Sequence, residues 1–209
     1  MSFKPVSQIK YDKLNKELTD KLPLYKEEYK NIAFSTEPAN KERAEEYIQK
    51  LYNQKNKGTL KFTWCKSPKE AMTKVSIKNF KTSDPSPQQI NEMVNKIHYG
   101  SMDAFWISTF SFIAYEMGHK IDDSIDYCNE IIKDAWCYWV FDDSVDGIPE
   151  CIISEKPNKI HVKDNVLHNT EGQAIEWEDS TGICLMDGKA YASLLEAAIG
   201  EKFQERKDD

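Results

Sequence analysis

The sequence predicts an α+β fold in which the helices of the N-terminal two-thirds pack against a C-terminal antiparallel β meander, followed by a terminal helix. Apolar residues recur at intervals of three and four up to about residue 136, which is typical of helices. From residue 150 the pattern changes to short apolar runs between turn residues, which indicates hairpins. We expect an N-terminal helical region over 1–57, an α+β core over 58–191 with hairpins at 150–191, and a helix with a charged tail over 192–209.

Two helices are predicted before the first strand. Residues 8–30 carry apolar positions at helical spacing, and Pro23 marks a break or a new start within them. The second helix is expected to have Ser35 or Thr36 as its N-cap and Pro38 in its first turn, because these residue types favour helix starts.

The middle of the chain alternates a strand with capped helices. Residues 59–65, "TLKFTWC", alternate apolar and polar side chains and predict a half-buried strand. Ser67 with Glu70 has the spacing of a capping box, and Ser86 begins a second helix in the same way. Residues 102–117, "MDAFWISTFSFIAYEM", are almost wholly apolar, so we expect this helix to be the central core element.

Two aspartate motifs share one spacing, twenty residues apart: Asp122, Asp123 and Asp126, then Asp142, Asp143 and Asp146. A pair of such motifs could hold Mg²⁺ over a diphosphate, but that requires a large helical bundle. Local structure explains both motifs without a metal. The first motif precedes a helical pattern, with Asp123 as N-cap and Asp126 near the helix start, and the second precedes a turn. We therefore expect no metal site.

The β segment contains "LHNTEGQAIEWEDSTG", Leu167 to Gly182, which we call the β signature. It resembles the signature of an uncharacterised bacterial domain family, Leu-His-Asn-x-x-Gly-Pro-Ala-Ile-x-Tyr/Trp-x-Asp-Gly, although Gln173 replaces the proline. Upstream matches to the same family lie at Trp64, Ser67, Pro68, Gly100, Asp103, Ala104, Pro157, Ile160 and His161. The resemblance covers about residues 45–191. Because that family has no established activity, the resemblance implies a fold more than a function.

Three residues of the β signature are catalytic candidates. His168, Glu176 and Asp179 could supply a base, an acid and a metal ligand, with Glu176 meeting His168 across a strand pair. The structural alternative is that His168 and Asn169 bond to the backbone at a turn while Ile175 and Trp177 pack in the core. We expect the structural alternative, since motif matches without a known geometry are weak evidence.

Composition excludes several function classes. Only two of the 28 basic residues are arginines, and base and phosphate recognition leans on arginine, so we expect no sequence-specific nucleic-acid binding. Five cysteines at irregular spacing predict reduced, mostly buried thiols rather than a zinc site. The absence of a long apolar run or a secretion signal predicts a cytoplasmic protein that does not cross a membrane.

Charge and aromatic residues together predict an interaction surface. Residues 101–150 carry 2 basic and 11 acidic residues, whereas residues 1–100 carry 19 and 12. Four aromatics within six residues are more than one side of an element can bury, so we expect at least one to be exposed beside an acidic rim. The predicted surface comprises Trp136, Tyr138, Trp139, Phe141, Asp142, Asp143 and Asp146.

These observations favour a non-catalytic protein-interaction module with a basic protein partner and no cofactor, encoded by a phage or another mobile element. Two alternatives stay open: a metal-assisted hydrolase or nuclease using His168 and Glu176, and a structural or homo-oligomer-forming protein.

Overall fold

The computed structural model describes residues 16–56, 58–120, 122–142 and 147–191, and it has an α+β fold, as predicted. Its helices are α1 Lys16–Ala33, α2 Lys41–Asn53, α3 Pro68–Phe80, α4 Pro87–Asn95, α5 Ala104–Tyr115 and α6 Ser124–Ile131, with a short 3-10 helix at Ser101–Asp103. Its strands are β1 Lys61–Cys65, β2 His98–Tyr99, β3 Ala135–Phe141, β4 Glu150–Glu155, β5 Lys159–Ile160, β6 Val162–Lys163, β7 Val166–Leu167, β8 Ile175–Glu176, β9 Gly182–Met186 and β10 Lys189–Tyr191. No helix of the described ranges is long and apolar enough to cross a membrane.

A mixed four-stranded sheet in the order β1-β4-β3-β2 forms the centre of the fold. Strand β4 pairs parallel with β1 and antiparallel with β3, and β3 pairs antiparallel with β2. Parallel pairing of β1 with β4 is possible because the connection between them is long and contains helices, as a parallel crossover requires. The prediction that Glu150–Glu155 belongs to an antiparallel C-terminal meander is therefore wrong.

Apolar side chains cover both faces of this central sheet. One face packs against α3 and α4 through Cys65, Ala71, Val75, Met93, Cys137, Trp139, Phe141 and Ile152. The other face packs against α2 and α6 through Ile48, Leu60, Ile131, Ala135, Tyr138, Cys151 and Ile153. Successive residues of a strand point to opposite faces, so β3 and β4 divide their apolar residues between two core layers. Ile48 shares a cluster with Ile153, so α2 contributes to the core of the central sheet.

Strand β3 replaces the last part of a predicted helix. The spacing of apolar residues predicted a helix through Trp136, but α6 ends at Ile131 and residues 135–141 form a strand. The run "AWCYWVF" is continuously apolar and rich in aromatics, which is typical of a strand buried on both faces.

The hairpins predicted after residue 155 are confirmed. Strands β5, β8, β9 and β10 form an antiparallel sheet, and β6 pairs with β7 in a hairpin of its own. Asp164 and Asn165 both adopt positive φ, as do Asp187 and Gly188, which is the backbone geometry that tight hairpin turns require. The predicted terminal helix over 192–209 lies outside the described residues.

Helix starts follow the predicted capping chemistry in part. Ser67 and Ser86 cap α3 and α4, and Ser86 forms a full capping box with Gln89. Helix α2, however, begins at Lys41 with Asn40 as its cap, so the predicted caps at Ser35 or Thr36 are wrong.

Helix α5 lies at the periphery, not at the centre of the core. It packs against α1 and α6 with small residues, namely Ala104, Ser108, Ser111 and Ala114, and with Phe112. Small side chains allow neighbouring helices to approach closely, and the large residues Phe105 and Trp106 remain on the outer side of α5. The prediction that this apolar helix forms the central core element is wrong.

Candidate functional site

The three catalytic candidates of the β signature each contact different partners. His168 Nδ1 lies 2.9 Å from Asp187 Oδ1 and 3.1 Å from the Asp187 backbone nitrogen, so it can accept from the amide or donate to the carboxylate, but not both. Glu176 pairs with Lys159, its cross-strand neighbour in β5, at 2.9 Å. The contact between Glu176 and His168 that the catalytic alternative requires does not form, because β8 pairs with β5 and β9 instead of with the strand next to His168.

Asp179 connects the β signature to the start of α3. The Ser67 hydroxyl donates to Asp179 Oδ2 at 2.6 Å and accepts from the Glu70 amide at 3.1 Å. Burial opposes the ionised form, but hydrogen bonds from Ser67 and Thr181 hold the pKa of Asp179 below its usual value. These contacts anchor a loop, so Asp179 serves a structural purpose in this geometry.

The β signature also contributes a small core of its own. Ala174, Ile175, Trp177 and Leu185 form this core, against which Trp136 packs. Trp177 is buried, and its Nε1 donates to the Glu155 carbonyl at 3.1 Å. This packing matches the structural alternative for the β signature, in which Ile175 and Trp177 are core residues.

The predicted interaction surface at residues 136–146 lacks exposed aromatics. Tyr138, Trp139 and Phe141 are buried, and Trp136 is half-buried against Trp177. A single helix side could not bury all four residues, but a strand covered on both faces does so by alternation. The expectation of an exposed aromatic in this stretch is therefore wrong.

The aspartates of both motifs lie near the protein surface where they are described. Asp142 is exposed and accepts from the Tyr52 hydroxyl at 2.8 Å, while Asp143 and Asp146 lie outside the described residues. In the first motif Asp123 occupies the N-cap position of α6, but its side chain makes no capping bond and pairs with Lys120. The side chain of Asp122 accepts from the Ser124 amide instead. The described residues contain no group of three potential metal ligands.

Four of the cysteines have a raised pKa, which makes them poor nucleophiles. All five are free thiols. Burial raises the pKa of Cys65 and Cys128 to about 11 and that of Cys137 to about 12, and it raises the pKa of Cys151 well above its ordinary value. Since the thiolate is the reactive form, these four groups stay protonated and unreactive at neutral pH.

The exposed aromatic surface lies instead on the outer side of α5. Phe105 is 66% exposed and Trp106 is 56% exposed, and their rings contact edge to face with centroids 5.6 Å apart. Thr109, which is also exposed, lies on the same side of α5 at helical spacing from Phe105, and the exposed Met102 belongs to the 3-10 helix that directly precedes α5. We call these four residues the α5 face. The sequence contains a pattern that could have indicated this face. Small residues at 104, 108 and 111 alternate with bulky ones, which predicts that only one side of the helix packs closely against other helices.

A tyrosine-lined groove of about 440 Å³ lies between α1, α2, α5 and α6. Tyr25, Tyr29, Tyr47 and Tyr115 line it together with the acidic residues Glu28, Asp126 and Glu130. Burial, followed by a hydrogen bond to a carboxylate, raises the pKa of Tyr25 and Tyr115 to about 12, so both hydroxyls remain donors. Lys133 lines the groove as well and pairs with Glu130, while Asp126 pairs with Lys120. Two of the three carboxylates beside the aromatic rings are therefore already paired with lysines.

Comparisons of this chain with protein families, with curated proteins and with solved structures find no significant match. The resemblance of the β signature to the bacterial domain family therefore stays a prediction.

Proposed function

We propose that this protein is a non-catalytic protein-interaction module that binds a basic partner through the α5 face. The observation that carries the proposal is the exposure of Phe105 and Trp106 on a helix whose other side is packed. Large aromatics on a folded surface are unfavourable in water, and they are enriched among the residues that dominate binding energy at protein interfaces.

The charge of the surrounding segment supports a basic partner. Residues 101–142 contain eight acidic side chains against Lys120 and Lys133, of which Asp134 is buried beside Arg43 and Glu116 pairs with Lys21 of α1. An acidic surface accelerates the encounter with a basic partner, and salt weakens this effect over a length of about 8–10 Å. The tyrosine-lined groove adds a second acidic and aromatic feature on the same helical layer.

The alternative of a metal-assisted hydrolase or nuclease gains no support from the geometry. His168, Glu176 and Asp179 engage Asp187, Lys159 and Ser67 respectively, and no hydrogen bond or ion pair joins the three candidates to one another. A general base and its partner need to lie within hydrogen-bonding reach of a common reacting atom.

The test begins with affinity capture from cells of the native host, using the wild type and a Phe105→Ala/Trp106→Ala variant. Leu24→Ala, which removes an exposed apolar side chain of α1, is the matched control. The captured protein is then purified, and its affinity is measured at low and high salt. We expect the double variant to lose binding by tenfold or more, which corresponds to about 1.4 kcal/mol, Leu24→Ala to retain it, and salt to weaken it.

Three results would contradict the proposal. The first is capture that the double variant leaves unchanged. The second is binding that does not depend on salt, which would remove the role of the acidic segment. The third is a wild-type protein that sediments as a dimer while the double variant sediments as a monomer, because the α5 face would then join two copies of this chain.

A further inference from the structure

A second groove, of about 490 Å³, lies where the end of α1, the start of α2 and the end of β4 meet. Three basic residues line it, namely Arg43, Lys133 and Lys156, and so do three acidic residues, Glu28, Glu37 and Asp134. Ser35 also contributes to its wall. We call it the Lys156 groove. None of the residues of the α5 face lines it.

Lys156 is an unusual residue for this position. Lys156 is only 8% exposed, although lysine is rarely buried unless it is paired. Within the described part of the chain its ammonium makes one hydrogen bond, from Nζ to Ser35 Oγ at 3.3 Å, and no ion pair. An ammonium carries three donors, so two of them have no protein acceptor there.

Among the acidic residues of the groove, Asp134 is committed to Arg43. Asp134 is 2% exposed and accepts from Arg43 Nε at 2.6 Å, from Arg43 Nη2 at 3.0 Å and from the Asn40 amide at 2.9 Å. Glu28 and Glu37 are exposed, and among the described contacts neither forms a hydrogen bond or ion pair with Lys156. Burial lowers the pKa of Lys156, the charge of Arg43 lowers it further, and Asp134 and Glu37 only partly oppose this.

The other two cations of the groove are partly engaged by carboxylates. Arg43 uses two of its five N–H donors on Asp134, which leaves further donors on the guanidinium. Lys133 pairs with Glu130 at 2.6 Å on the far wall. A buried polar group without a partner costs free energy, and a small oxyanion in the groove would remove that cost by accepting from Lys156.

We propose that the Lys156 groove binds a small oxyanion, a carboxylate or a phosphate, through the free donors of Lys156 with Ser35 and Arg43 at its side. The groove volume falls in the range of about 300–1,000 Å³ that is usual for small-molecule sites. This binding site is separate from the proposed protein-interaction function, because it involves neither the α5 face nor the tyrosines.

The test measures binding of inorganic phosphate and of acetate by calorimetry and by thermal unfolding, with chloride at the same ionic strength as the reference. The proteins are the wild type, Lys156→Met, and Lys96→Met, which removes an exposed lysine that pairs only with Glu92. We expect one oxyanion to bind the wild type and to raise its melting temperature. Lys156→Met should weaken that binding by about tenfold or more, since a hydrogen bond to a charged group is lost, and Lys96→Met should not. The better of the two oxyanions identifies a phosphate or a carboxylate ligand.

A second measurement keeps the test decisive if Lys156→Met fails to fold. The Lys156 side-chain resonances of the wild type are followed by NMR during the same titrations, and a saturable shift, with a rise in the pKa of Lys156, supports the proposal. Equal binding by the wild type and Lys156→Met, or no response of Lys156 to either oxyanion, would overturn it.

Discussion

Trp177→Ala offers the sharpest test of whether the β signature is structural. Trp177 is 3% exposed, and it packs with Ala174, Ile175 and Leu185. Its ring meets that of Trp136 edge to face with centroids 5.5 Å apart. Its Nε1 donates to the Glu155 carbonyl, which ties the hairpin sheet to the end of β4.

The expected loss of stability follows from these contacts. Truncation of a buried aromatic residue to alanine costs about 3–5 kcal/mol. That figure includes the ring pair, at roughly 0.5–1.5 kcal/mol, and the indole hydrogen bond, at about 1 kcal/mol. For a chain of this size each kcal/mol lowers the melting temperature by about 2–4 °C.

Urea denaturation at neutral pH measures this loss, with Trp106→Ala as the matched control. Trp106 has the same side chain, but it is 56% exposed on α5, so its truncation should change the free energy of unfolding by less than about 0.5 kcal/mol. If both variants lose the same stability, or if Trp177→Ala leaves the free energy of unfolding unchanged, the β signature does not serve as a packing unit.

The remaining predictions use the same urea assay. Glu150 is partly buried, which opposes its charge, but bonds from Lys78 and Thr63 hold its pKa below the ordinary 4.5. Its stabilising effect is therefore present above about pH 4.5 and is lost as the pH falls through the lower folded pKa. Glu150→Gln should destabilise the protein at pH 7 and not at pH 2, and a difference independent of pH would contradict this. Gly100→Ala should destabilise the protein by more than about 2 kcal/mol, because its Cβ would lie 2.0 Å from a backbone oxygen of β3. Gly172→Ala, whose nearest atom would be a side-chain nitrogen at 3.5 Å, should be tolerated, and equal effects of the two variants would refute the steric argument.

Local interactions explain which structural elements could be predicted. The caps at Ser67 and Ser86 and the hairpin turns at 164–165 and 187–188 depend on residues that are close in sequence, and the structure confirms them. The candidate site fared differently. The β signature correctly indicated Trp177 as a core residue, but the contact of Glu176 with His168 depended on strand pairing that the sequence does not specify.

The sequence by itself determined the α+β class, the burial of most cysteines and the acidic charge of residues 101–150. Only the tertiary structure decided which apolar segments face inward. The run at 135–141 became a strand covered on both faces, so its aromatics are buried or half-buried. Helix α5 instead turned its small residues and Phe112 to its neighbours, and Phe105 and Trp106 to solvent. The physical reason is that hydrophobic burial has no direction. An apolar segment therefore indicates that some of its residues are buried. The shapes and positions of neighbouring elements determine which of its side chains these are.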